Sequence, residues 1–189
     1  MLACASVVVV AGLPAGAYAK DGGPSIKLPG KSGWKRIESV FFTIDYKDDI
    51  DMRLVEKRLK RRYFFSAYTR KRDSLDSVPM RVADRMDLLF RRAGDILDMH
   101  PPDMHINVKI FKDRDDLADE YHRIFRRRER LRSFYIYKLD TIFTSETDIS
   151  DSVMAHEMGH AIVDHYFVIM PPEKVKEMLA SYVDLHLDD

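Results

Sequence analysis

Ala155-His156-Glu157-Met158-Gly159-His160-Ala161 is the stretch on which the reading of this chain turns. Ser150 or Asp151 can cap a helix that begins just before it and runs to about Ile169. On a helix, positions i and i+4 leave the same face about one turn apart, so His156 and His160 point the same way. Two imidazole nitrogens at that spacing can reach one metal ion at about 2.0–2.1 Å each. Glu157 lies about 100° round the helix from His156, within reach of a water on such an ion without being a ligand to it. The flanking Val153, Met154, Ile162 and Val163 are apolar, as expected of a helix buried behind a metal site. Gly159 costs a helix about 1 kcal/mol against Ala, so a close approach to the backbone is expected there. Burying two histidines and a glutamate unpaired on an apolar helix would cost several kcal/mol, which weighs against a chance match.

A hydrolytic zinc ion needs a third protein ligand and one open position. The longer motif with a third histidine would need glycine at 163 and histidine at 166, where this chain has Val163 and Tyr166. His165 points well off the ligand face. Asp164 is on that face one turn further along, placed to accept from a histidine N–H. Beyond Pro171-Pro172 a further helix to about Leu187 offers Glu173 and Glu177. Glu173 falls in the first turn, where the helix dipole alone accounts for a carboxylate. Glu177 is mid-helix, with the small Ala180 and Ser181 at i+3 and i+4, so its face can press against the motif helix. Glu177 is the preferred ligand.

Working outward, Val40 to Tyr46 is β-branched and aromatic and reads as a strand. A helix is expected from Asp51 to about Phe65, and a loop over Arg70 to Val78. Pro79 suits the first turn of a second helix to about Met99, with Val82, Met86, Leu89, Ile96 and Leu97 as its apolar stripe. His105 to Phe111 alternates apolar and polar residues as a half-buried strand does. A charged helix follows from Asp113 to about Arg130, then two short strands around Lys138-Leu139-Asp140. This order predicts an α+β domain, a small mixed sheet packed on helices.

Met1 to Ala19 carry no charge, hold the run Val7-Val8-Val9-Val10, and end in Ala17-Tyr18-Ala19, a small-x-small cleavage pattern. Residues 1–19 are therefore expected to be a signal peptide, 20–36 a flexible leader, and 37–189 the domain. Cleavage near Ala19 would send the chain out of the cytoplasm, secreted or in the periplasm or cell envelope. The single cysteine, Cys4, excludes a disulfide framework and any cysteine-based zinc site. Lys+Arg and Asp+Glu both total 31 among 189 residues, so a dedicated nucleic-acid binder is not expected. Residues 53–72 carry nine Lys/Arg against one Glu, and 123–132 six Arg against one Glu. These segments could engage an anionic membrane surface, but solvated helix faces balanced by acids elsewhere are the preferred reading.

His156-Glu157-Met158-Gly159-His160, followed 17 positions later by Glu177-Met178-Leu179-Ala180-Ser181-Tyr182-Val183-Asp184, resembles the gluzincin metallopeptidases, in particular peptidase MA-like domains. That family pairs H-E-x-x-H with a downstream helix of the form E-G-L-A-x-Y-x-E. Met178 stands where the family often has glycine, and Asp184 where it often has glutamate. The resemblance implies a zincin-like fold, Zn2+ held by His156, His160 and Glu177, Glu157 as catalytic base, and a peptide or protein substrate. It also implies an edge strand that aligns the substrate, for which Thr141 to Thr144 is the candidate; hydrolysis further needs an oxyanion donor, for which Tyr166, Tyr182, His122 and His186 are all open. Two rival expectations stand beside hydrolysis: a catalytically silent zincin-fold binding module of the envelope, and a latent protease blocked by its own tail, Asp184 to Asp189.

Overall fold

The computed structural model describes residues 33–59 and 77–189. The expected signal peptide, most of the leader and the basic run after Leu59 lie outside the described residues; the first helix, expected to about Phe65, ends at Arg58, with Leu59 extended.

Strands β1 (Trp34–Glu38) and β2 (Phe42–Lys47) form an antiparallel hairpin. Helices α1 (Met52–Arg58) and α2 (Val78–Leu97) follow, then β3 (Ile106–Phe111) and α3 (Arg114–Phe125). After β4 (Ser133–Ile136), a 3-10 turn at Tyr137–Leu139 leads into β5 (Thr141–Ser145). Helices α4 (Asp151–Tyr166) and α5 (Glu173–Leu185) complete the order. The sheet runs β1-β2-β3-β5-β4, with β2, β3 and β5 mutually parallel and both outer strands antiparallel to their neighbours. A mixed five-stranded sheet with helices is the α+β domain expected. Among the described residues, no helix is long and apolar enough to cross a membrane.

Two-residue periodicity decides what each face carries. Val108 of β3 pairs with Ile44 and Ile142, and these, with Ile106 and Ile110 on the same face, pack with Val82, Met86 and Phe90 of α2 and with Met154, Ala155 and Met158 of α4. The alternate residues Phe111, Phe134 and Phe143 face Leu117 and Tyr121 of α3 in a second, aromatic layer. Thus α2 and α4 cover one face and α3 the other. Asp87, buried on α2, ties down the β1–β2 turn by accepting from the Ser39 hydroxyl at 2.8 Å and from the Val40 and Phe41 N–H groups at 3.1 and 3.0 Å.

Three expectations need correction. Trp34 to Arg36 belong to a paired strand rather than the leader. The polar pattern Lys35, Arg36, Glu38 is that of an edge strand with its charges in water. Helix α3 stops at Arg126, which takes the left-handed conformation (φ 60°), where a run to about Arg130 was expected. Third, β5 is an interior strand between β3 and β4, so Thr141 to Thr144 cannot align a substrate at the sheet edge; β4 holds that edge. The parallel crossover through α3 places β5 beside β3, and β4 then has only the outside of β5 left to pair with.

The arginine-rich segment 123–132 is laced to acids. Arg123 pairs with Glu120, Arg127 with Glu129, Arg128 and Arg130 with Asp115, and Arg132 lies 3.9 Å from Asp148.

Candidate metal centre

Helix α4 is capped by Ser150, whose hydroxyl accepts from the Val153 N–H at 3.3 Å. Its central turns are buried on all sides, since it lies between the sheet, α2 and α5. Gly159 explains the last contact. A Cβ built there would sit 3.0 Å from the Ala180 Cα and 3.3 Å from the Val183 Cγ2, so the absent side chain is what admits the α5 backbone. Ala180 lies at the contact, and Glu177, three residues earlier on α5, faces the histidines.

The structure brings the three sequence-derived ligands together. His156 Nε2 and His160 Nε2 are 3.2 Å apart. Glu177 Oε2 is 3.7 Å from His156 Nε2, and its Oε1 is 3.6 Å from His160 Nε2. Donors bound at about 2.0–2.1 Å in a tetrahedron stand about 3.4 Å apart. The histidine nitrogens and the nearer carboxylate oxygen of each pair stand close to that value, and one atom from each residue lies within 4.8 Å of the others, so the three side chains are near enough to share one ion. Both histidines are buried, whereas the Glu177 side chain is 33% exposed and marks the open side.

Electrostatics suit the histidines to ligation. Burial, the neighbouring His156 and the Lys176 charge together push His160 down to about 3. Burial also lowers His156, against the pull of Asp184. Both are therefore neutral near pH 7, the form that binds a metal. The donor set, two neutral imidazoles and one carboxylate with no thiolate, is one that zinc accepts.

Glu157 is 2% exposed. Burial and the nearby Glu177 carboxylate push its pKa up to about 7, against hydrogen bonds from Ser133 and the Tyr135 N–H. Ser133 Oγ donates to Glu157 Oε1 at 2.6 Å.

Other candidates fall elsewhere. Glu173 pairs with the buried Lys176 at 2.8 Å, a structural role at the start of α5. Asp164 does not serve a histidine N–H, contrary to expectation: it meets Lys176 at 3.4 Å, because α5 packs against that side of α4. Asp184, two turns beyond Glu177, is the carboxylate whose field reaches His156. His165 turns away to Asp140 at 2.7 Å. His122 is on α3, across the sheet from α4, and so leaves the set of oxyanion candidates. Tyr182 stacks on His186 at 3.9 Å between ring centres, and Tyr166 packs edge-on against Phe167. The tail docks on α2, with Arg92 donating to the His186 carbonyl at 3.3 Å and Leu187 buried in the main core. Sequence reasoning missed Ser133 and the Tyr135 N–H, because nothing local says which strand will lie against the motif helix.

Comparison with protein-family models, curated proteins and solved structures finds no match to this chain.

Proposed function

We propose that this chain is a zinc-dependent peptidase of the gluzincin type, on a zincin-like version of the α+β fold, acting outside the cytoplasm on peptide or protein substrates. One observation carries the reading: one ligand atom from each of His156, His160 and Glu177, on two successive helices, all within 4.8 Å of one another, with a buried carboxylate one residue from the first of them.

His156, His160 and Glu177 would hold the ion. Zinc bound there supplies Lewis acidity, lowering the pKa of water and polarising a carbonyl. The chain's own groups do the rest. Glu157 takes the proton of the attacking water on its carboxylate and returns it to the departing amine. The apolar walls of α4 exclude bulk solvent, which strengthens every charge interaction within. Strand β4 ends the sheet, with no strand paired to its outer side among the described residues, and can pair with an extended peptide through backbone hydrogen bonds.

Glu157→Gln separates binding from chemistry. The variant is expected to bind zinc as the parent protein does and to lose hydrolysis of a mixed peptide library by at least about 100-fold, the low end for general base catalysis. Normal turnover by this variant would defeat the assignment. Zinc binding by the parent without any hydrolysis would favour the silent binding module instead.

A further inference from the structure

We propose that Ser133 is a positioning residue that aims the Glu157 carboxylate, fixing the base from the edge strand of the sheet. The inference rests on the peptidase reading and adds a residue that the two-helix motif does not contain.

The placement follows from strand parity. Ser133 pairs with Thr144 and Tyr135 with Ile142, and Ile142 packs in the core shared with α4. Ser133 and Tyr135 therefore present to the motif helix, while Phe134 between them joins the aromatic layer under α3. From that face the Ser133 hydroxyl donates to Glu157 Oε1 at 2.6 Å, and the Tyr135 N–H supplies a second donor. Both Ser133 and Glu157 are buried, so water does not replace the bond if it is lost.

A glutamate side chain has three torsions, and all of them must be fixed for its carboxylate to hold one position. Two donors, two residues apart on one hydrogen-bonded strand, are a rigid jig for it. A carboxylate accepts about four hydrogen bonds, so two remain for the water and its proton. The same short strand ends the sheet, on the side where a substrate would lie, so base and substrate share one reference.

The test compares the parent protein with Ser133→Ala, Ser133→Thr and Thr144→Val. Thr144 is the cross-strand partner of Ser133, and its buried hydroxyl has no hydrogen-bond partner, so Thr144→Val controls for disturbance of the layer. Three readouts are needed: zinc affinity by equilibrium dialysis, kcat and KM on a peptide substrate, and the Glu157 side chain in crystals of the metal-free proteins. For Ser133→Ala the expectation is unchanged zinc affinity and KM, a kcat lower by about 100-fold, as for a reacting group misplaced by about 1 Å, and a displaced Glu157 carboxylate. Ser133→Thr restores kcat and the carboxylate position, and Thr144→Val leaves both as in the parent. Unchanged kcat in Ser133→Ala, or zinc affinity falling in step with activity, overturns the proposal. If the zinc-loaded parent hydrolyses nothing, the peptidase reading fails, and the metal-free crystals still decide the positioning: a displaced Glu157 supports it and an unmoved one refutes it. Should Ser133→Ala not fold, Ser133→Cys keeps the volume with a weak donor and takes its place.

Discussion

Replacing Gly159 by alanine sets two opposing effects against each other. In an exposed helix the change would stabilise by about 1 kcal/mol, because alanine loses less backbone entropy. Here the new Cβ would stand 3.0 Å from the Ala180 Cα, 3.3 Å from the Val183 Cγ2 and 3.5 Å from the Ala180 Cβ. Carbon atoms prefer about 3.5–4.0 Å. Val183 can turn slightly, but the Ala180 Cα moves only with its helix. Overpacking of this kind costs about 1–3 kcal/mol, so the net loss is about 0–2 kcal/mol. In a chain of this length that lowers the melting temperature by up to about 8 °C. The larger consequence is at the metal. Backing α5 away by about 0.5 Å to restore ordinary contact carries Glu177 away from two nitrogens it now faces at 3.6 and 3.7 Å. Zinc affinity is expected to fall by more than about tenfold, which equals about 1.4 kcal/mol. Thermal unfolding with and without zinc, together with competition against a chromophoric chelator, measures both. A Gly159→Ala protein that melts several degrees higher and binds zinc unchanged would refute the close packing of α4 on α5.

Zinc at about 100 times its dissociation constant should stabilise the parent protein by about 2.7 kcal/mol; Glu177→Ala should lose most of the accompanying shift in melting temperature, and Glu173→Ala should retain it. Acid stability should depend on Asp148. Burial alone would raise its pKa, but hydrogen bonds from Arg114, Ser145 and Thr147 outweigh that and hold it below the ordinary 3.8. The folded state thus binds this proton less readily than the unfolded chain does. The stabilisation is full above about 3.8 and fades as pH falls below it, so Asp148→Asn should flatten denaturant-measured stability in that range while lowering it at pH 7. If the parent and Asp148→Asn fall in parallel from pH 4 to pH 2, the ion pair is not the source.

The parts of the site that were legible in the sequence are those set by short-range geometry. His156 and His160 share a face because of helical pitch alone, and Glu177 was distinguished from Glu173 by the small residues beside it. The in-helix glycine announced a close neighbour, though only the fold shows that the neighbour is Ala180. The rest depended on non-local pairing. The sheet order β3-β5-β4 is set by a crossover, and no residue in Thr141 to Thr144 announces that the strand is interior. Ser133 looks like any strand-forming serine until β4 is laid against α4. Asp164 is on the expected face of α4, but Lys176, whose buried ammonium lies 3.4 Å away, claims it instead of a histidine. Arg126 ended α3 without the glycine or asparagine that usually marks a left-handed cap.

The most direct measurement is X-ray absorption at the zinc edge on protein carrying one equivalent of the metal. It should show a four-coordinate nitrogen and oxygen shell at about 2.0–2.1 Å with the outer-shell scattering of two imidazoles, reduced to one in His160→Ala. Failure to retain stoichiometric zinc through dialysis, or a bound ion without imidazole scattering, would contradict it.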